Sequence, residues 1–314
     1  MKKITITYPL TPEQIEQFRK PQVMALGYFD GVHLGHQEVI RRAVSFARAN
    51  GMPASVMTFH PKPREVLRKE KHGSYITPID TKMEVMAELG VEQLFVVRFD
   101  ETFSKISPAD FVQDILFAMD VRHAVVGFDY AFGFKGEGTP ALLQELGQDR
   151  MSVEVVEPCR LSDLKVSSTL IRAHLTEGRV KQANELLGRP YSIRGKVIAG
   201  EGRGNTIGYP TANVEPIDEY FIPCNGVYAV RIWLGDQCHG GVMNIGVKPT
   251  FHKDGMKQTL EAHIFDFSQN IYGDQVRIEF MDYIRPEQRF SSVQELVAQI
   301  HRDADQARAL IASI

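Results

Sequence analysis

The chain has 314 residues, 43% hydrophobic and 24% charged, the proportions of an ordinary globular protein with length for about two domains. Its net charge of -3 excludes a surface built to track along nucleic acid or an anionic membrane, so any phosphate must be held by a local site. No apolar run reaches membrane-spanning length, and MKKITITYPL is not followed by a signal-length apolar stretch. Cys159, Cys224 and Cys238 are far apart and form no metal-ligand spacing. The expectation is a cytoplasmic protein with reduced thiols, a monomer or weak homo-oligomer with no nucleic-acid or membrane partner.

In chain order, VMALG (23–27) and ASVMTF (54–59) read as buried strands. Between them, QEVIRRAVSFARAN sets Val39, Ile40, Ala43, Val44 and Ala47 on one face of a helix that begins around His36. DTKMEVMAELG predicts a helix with Gly90 at its C-terminal cap, and QLFVVRF a further strand. Ser107-Pro108 and Thr139-Pro140 each place proline at a first helical position, and HAVVG and SVEVV predict two more buried strands. This alternation predicts a Rossmann-like α/β domain: a parallel sheet with helices on both faces, binding ligand at the carboxyl ends of its strands.

Near residue 188 the pattern changes. YSIRGKVI, GVYAVRIWL, HGGVMNI, LEAHIF and QVRIEF read as strands separated by Gly, Pro, Asn and Asp, which predicts a small antiparallel barrel or sandwich. The closing segment predicts a helix with a Ser292/Glu295 capping box and one apolar face of Val293, Leu296, Val297, Ile300, Ala304, Ala307 and Ile311, packed on the barrel. The boundary falls in residues 186–190, dividing the chain into domains 1–186 and 187–314.

The corner GYFDGVHLGHQ (27–37) follows the first buried strand and precedes a helix. Its glycines admit close backbone approach and positive φ, and the helix start turns free N–H groups and a positive dipole end toward it. An anion there would be held by backbone amides, with His33 and His36 as side-chain donors. A second segment, VSSTLIRAHLTEG (166–178), opens a helix with Ser167, Ser168 and Thr169, and Arg172 lies near the same face as Ser168. Hydroxyls, free amides and a guanidinium at one helix start make a second anion clamp. Between the two, Phe128, Tyr130 and Phe132 offer either aromatic surface to a planar ligand ring, or plain strand packing.

In the second half, GKVIAGEGRGNTIGYPTANV (195–214) gathers Gly200, Gly202, Gly204 and Gly208 into one loop ending in Pro210, Thr211, Ala212 and Asn213. No GxxxxGK[ST] phosphate loop occurs. Thr211 and Asn213 face the same way on an extended segment, where a hydroxyl and an amide oxygen suit a hard cation such as Mg²⁺ beside phosphates.

The first corner resembles the GxFDGVHxGH signature of bacterial FAD synthetases, matching at Gly27, Phe29, Asp30, Gly31, Val32, His33, Gly35 and His36, and SSTLIR is similar to that family's second motif. The resemblance implies an FMN adenylyltransferase in which His33 and His36 contact ATP phosphates, with Arg172, Ser168 and Thr169 completing the clamp. Gly27, Phe29, Asp30 and Gly35 would shape the phosphate site, and Phe128, Asp129 and Phe132 would meet the flavin. Departures are Ala131 for the commoner arginine, and His60 and Lys62 in place of an acid and a histidine. GYPTANV, NIGVKPTF, LEAHIFDF and IYGDQVRIEF resemble riboflavin kinases, which implies Glu261 as general base and Thr211 and Asn213 at Mg²⁺. There Asn205 and Ala199 stand where many relatives carry arginine and histidine. The combined expectation is a bifunctional enzyme using ATP and Mg²⁺ to convert riboflavin to FMN and FMN to FAD. Two alternatives are open: a single-activity adenylyltransferase, and a flavin-binding regulator without turnover.

Overall fold

In the computed structural model, residues 1–68, 74–200, 208–249 and 256–312 are described, and they form two compact units, Met1–Ser168 and Thr169–Ile314. Gly202, Gly204 and Asn205 lie outside the described residues.

The first unit runs β1 (Lys2–Ile6), α1 (Pro12–Phe18), β2 (Gln22–Leu26), α2 (Leu34–Ala49), β3 (Ala54–His60), α3 (Pro63–Arg68), α4 (Ile79–Glu88) and β4 (Gln93–Arg98). A short helix α5 (Pro108–Asp110) then passes into a π-helical stretch (Phe111–Phe117), followed by β5 (Val121–Gly127), α6 (Pro140–Gly147) and β6 (Ser152–Val156). These six strands form one parallel sheet in the order β1-β4-β3-β2-β5-β6. A two-stranded hairpin, β7 (Arg160–Leu161) and β8 (Leu164–Lys165), closes the unit.

All five residues of β2 are buried, because helices cover both faces of a parallel sheet and leave no solvent side. Val23 and Ala25 pack toward Val39, Ile40, Ala43 and Val44 of α2, while Met24 and Leu26 pack toward Ile115 and Leu116. SVEVV is not a buried strand as expected: β6 is an edge strand with only Val156 fully buried, since nothing pairs beyond it. β1 and α1, which the sequence reading passed over, supply the opposite edge and a helix with a Thr11/Gln14 capping box. From β2 the chain builds outward through β3 and β4, then crosses to β5 on the other side. The carboxyl ends of β2 and β5 therefore flank a topological switch point, where such sheets form a crevice.

The second unit opens with α7 (Ser168–Thr176), whose first residue belongs to the first unit, and α8 (Val180–Leu187), which ends at left-handed Gly188. Six strands follow: β9 (Tyr191–Ile198), β10 (Ala212–Pro216), β11 (Gly226–Leu234), β12 (Gln237–Pro249), β13 (Met256–Ile264) and β14 (Gln275–Arg285). They close an antiparallel barrel in the order β10-β13-β12-β11-β14-β9. Ile193, Tyr228, Val230, Met243, Ile245, Leu260, Ala262, Ile278 and Phe280 are buried. On β12 and β13 these are alternate positions, so their neighbours face outward.

The terminal helix α9 (Val293–Ala312) packs Ala304 and Ala307 on Val227, Ala229, Val242 and Met281. Its first turn differs from the expectation in two respects. Val293 is exposed, because the apolar face engages only from Leu296 onward. The Ser292 hydroxyl accepts from the Glu295 N–H, but the Glu295 carboxylate returns to the N–H and hydroxyl of Ser291.

A buried ion pair fastens α9 to β14. Arg285 Nε lies 2.9 and 3.0 Å from the two Asp303 oxygens, Nη2 lies 2.7 Å from Oδ2, and Gln299 adds a bond of 2.8 Å to Oδ1. Removing one partner strands the other charge. Asp303→Ala is expected to destabilise the second unit by roughly 3 kcal/mol, measured by chemical denaturation.

Candidate active sites

The backbone leaving β2 turns sharply, with positive φ at Phe29 (52°), Gly31 (92°) and Val32 (41°). Six hydrogen bonds to separate parts of the unit hold this corner. The Tyr28 carbonyl accepts from Thr58 Oγ1 (2.9 Å) and from Lys82 Nζ (2.7 Å). Asp30 Oδ1 accepts from the backbone N–H groups of Ile76 (3.0 Å) and Thr77 (3.3 Å). Gln37 Nε2 donates to Val32 O at 2.9 Å, and Ser168 Oγ donates to Asp30 O at 2.8 Å.

Asp30 and Ser168, expected at phosphate, also brace the corner through bonds to neighbouring backbone. Ser168 nonetheless joins the two motifs directly, 138 residues apart in the chain. Gly27 and Gly35 are demanded by packing as much as by backbone approach. A Cβ on Gly27 would sit 2.7 Å from the Phe29 ring, and one on Gly35 would sit 3.3 Å from His33 Cε1 and 3.4 Å from Cys159 Cβ.

α2 begins earlier than expected, with His33 as its N-cap and His36 in its first turn. His33 Nδ1 accepts the His36 N–H at 3.3 Å, so in the neutral ring the proton sits on Nε2. The two imidazoles stack with centroids 3.6 Å apart, and Phe29 meets His36 edge-on at 5.3 Å. Stacked rings at a helix N-terminus form one donor face at the positive end of α2.

Two lysines flank the corner. Lys62 Nζ lies 3.9 Å from Asp30 Oδ2, sits 4.4 Å above the Tyr75 ring, and donates to the Ser74 carbonyl. Lys82, on α4, is 2% exposed, and sequence reading did not single it out. Burial pushes its pKa from 10.5 to about 8; Asp30 opposes that shift and Lys62 adds to it. A lysine so depressed destabilises the fold by roughly 3 kcal/mol while it stays charged below pH 8, and the penalty fades as pH rises toward 10.5.

Across the switch point, the segment after β5 carries the expected aromatic residues. Phe132 does not present a ring face: it is buried against Phe111 (5.3 Å) and Tyr130 (5.6 Å) inside the core. Phe128 is exposed, with Lys165 Nζ 4.3 Å over its ring, and Asp129 pairs with the same lysine at 3.0 Å. Thr169 is exposed, and Arg172 belongs to the second unit, where its guanidinium lies 4.9 Å over Phe221.

In the barrel, ladder register assembles the second site. Glu261 on β13 stands opposite Asn213 on β10 and opposite Asn244 on β12, so all three side chains share the outward face. Gly200 lies against Asn213, since a Cβ there would fall 1.9 Å from Asn213 Nδ2. Gly208 has φ 82°, which suits glycine at the turn into Pro210 and Thr211. His263 Nδ1 donates to the Pro210 carbonyl at 2.9 Å and so anchors the segment.

Two cavities meet at Thr211. One, about 330 Å³, lies between the barrel face and α9, with Glu261, Asn244 and Glu287 beside Val242, Phe290 and Leu296. The other, about 370 Å³, is bordered by Val197, Ala262, Ile264, Phe267 and Tyr272. Asn244 and Glu287 were not foreseen. Asn244 is legible only once strand register is known, and a Cβ on Gly246 would fall 2.5 Å from Glu287 Oε1.

Residues 15–170 match the FAD synthetase family, and residues 187–311 match the riboflavin kinase family. Bifunctional riboflavin kinase/FMN adenylyltransferases align along the chain. That of Listeria monocytogenes is 43% identical, covering 100% of this chain and 99% of its own length. That of Bacillus subtilis is 43% identical, covering 98% and 97%. This chain belongs to the bifunctional riboflavin kinase/FMN adenylyltransferase family. A solved Streptococcus pneumoniae structure described as a macrolide-efflux protein is also similar, with TM-score 0.87 and 35% identity over 97% of this chain and 99% of that one. No helix among the described residues is long and apolar enough to cross a membrane.

Family membership makes the Gly200–Asn213 contact testable. Gly200→Ala must displace the Asn213 amide, and misplacement by about 1 Å can lower a rate roughly 100-fold. Riboflavin phosphorylation is expected to fall by that order while FAD formation from supplied FMN is retained, as read by flavin chromatography.

Proposed function

We propose that the chain carries out both reactions, phosphorylating riboflavin to FMN at the barrel and adenylylating FMN to FAD at the β2–α2 corner. The observation that carries this reading is the separate assembly of two donor sets, His33 with His36 in one unit and Glu261 with Thr211 and Asn213 in the other. We assign the catalytic modules to residues 1–186 and 187–314; the riboflavin kinase match starts at 187, while the compact units divide earlier, after Ser168.

In the adenylyl transfer, an FMN phosphate oxygen attacks the α-phosphorus of ATP and pyrophosphate leaves. Negative charge grows on phosphoryl oxygens, and the α2 amides with the imidazoles of His33 and His36 are assigned to stabilise it. Arg172 and Thr169 are assigned to this step by their motif, and Phe128 with Asp129 to the flavin side. In the kinase, the ribityl hydroxyl attacks the γ-phosphorus while Glu261 accepts its proton, the bond to the β,γ-bridging oxygen breaks and ADP leaves. The cavity with Val242, Phe290 and Leu296 suits the apolar flavin ring, and the one beside Phe267 and Tyr272 suits the adenosine of ATP. Thr211 borders both, where the γ-phosphate must pass.

Among the described residues, no group of three or more His, Cys, Asp or Glu forms a metal cage. The neutral oxygens of Thr211 and Asn213 fit a Mg²⁺ that draws its remaining ligands from phosphates and water, and such an ion would neutralise phosphoryl charge. The chain works in the cytoplasm as a monomer or weak homo-oligomer, with riboflavin, FMN and ATP as its partners rather than nucleic acid or membrane.

Purified protein with ATP, Mg²⁺ and either riboflavin or FMN provides the test, with flavins resolved by chromatography. FMN and FAD from riboflavin are expected. FAD from FMN alone, with riboflavin untouched, would reduce the protein to a single activity, and no product from either would sink the enzyme reading. Glu261→Gln is expected to lower riboflavin phosphorylation by roughly 10²–10⁴-fold and spare FAD formation. His36→Ala is expected to lower FAD formation by roughly 10²–10³-fold and spare the kinase.

A further inference from the structure

Lys82 presents an unusual combination of burial, charge and redundancy. It sits on the inner face of α4 near the buried Met86, yet its ammonium reaches under the corner, 2.7 Å from Tyr28 O, 3.4 Å from Thr58 Oγ1 and 4.7 Å from the Tyr28 ring centroid. The Tyr28 carbonyl does not need it, because Thr58 Oγ1 already donates there at 2.9 Å. A methionine of similar length would fill the same space without burying a charge.

We propose that Lys82 is a positioning residue of the adenylyl-transfer site, whose fixed positive charge beneath Tyr28 balances Asp30 and draws ATP phosphates onto the β2–α2 corner. The inference rests on the function proposed for that corner. A charge held in a low-dielectric interior acts on a nearby anion more strongly than one in water. The groups facing Lys82 are Tyr28 and Asp30 on the corner, Thr58 on β3 and Lys62 just beyond it. Burial disfavours the protonated form of Lys82 most, Asp30 favours that form and Lys62 opposes it. With burial lowering the pKa to about 8, the charge is present at neutral pH and lost as pH rises through that value.

The test compares wild type, Lys82→Met and Lys82→Arg as full chains. FAD formation from FMN is followed from about pH 6.5 to 9.5, with riboflavin phosphorylation and thermal melting measured on the same samples. Wild type is expected to lose kcat/KM for ATP above about pH 8. Lys82→Met is expected to lower FAD formation by about tenfold or more and to abolish that alkaline limb, with kinase rate unchanged and Tm at pH 7 equal or higher. Lys82→Arg, which cannot lose its proton, is expected to recover part of the rate and move the limb upward. FAD formation within about twofold of wild type in Lys82→Met would overturn the proposal. So would an unchanged alkaline limb, or a loss matched by a lower Tm and an equal loss of kinase rate, which would mark a structural role. Absence of FAD formation in wild type would instead overturn the function on which the proposal rests.

Discussion

The first unit depends on one constrained stretch of backbone, the turn from Gly27 to His33. Phe29 and Val32 hold positive φ without being glycine, at a cost of roughly 1–3 kcal/mol each. The turn persists because its polar groups are claimed from several directions. Thr58 comes from β3, Lys82 from α4, Gln37 from α2 and Ser168 from the start of α7, while Asp30 reaches the amides at 76 and 77. Each element must be in place for the corner to close, so the site reports on the folding of the whole unit. Closing it does one thing for chemistry: it aims the first turn of α2, with two stacked imidazoles, at a fixed point in the crevice beside β5.

The barrel reaches pre-organisation by a different route. Glu261, Asn213 and Asn244 need no strained backbone, because antiparallel pairing sets opposed side chains about 4.5–5.5 Å apart at the Cβ on one face. A slip of one residue in either ladder would turn a member of the trio into the apolar interior. Leu260 and Ala262, which fill that interior on either side of Glu261, therefore fix the orientation of the general base proposed here.

Much of this was readable from sequence because the decisive signals are local. Buried strands appear as short apolar runs, and Ser107, Thr139 and Ser292 cap their helices as their spacing predicts. The failures are all non-local. SVEVV has the composition of a central strand, and only the sheet order shows that it lies at an edge. Phe132 reads equally as a ring offered to a ligand or as packing, and only Phe111 of the π-helical stretch, found against it, decides for packing. Lys82 stands in a helical segment whose pattern admits a lysine on a solvated face, and only packing turns that face inward.

The charge distribution resolves an apparent conflict in composition. A chain of net charge -3 is expected to repel ATP and FMN, both polyanions, at long range. At the corner, however, two lysines stand against one carboxylate, and the positive end of α2 adds to the excess. Asp30 belongs to that arrangement. Without a carboxylate between them, Lys62 and Lys82 would repel each other in a poorly solvated space, and the buried one would shed its proton at a lower pH. The acid at the corner thus favours the charged form of Lys82. Lys62 places a compact point charge there. The local excess of positive charge at the corner thus stands against a net negative chain.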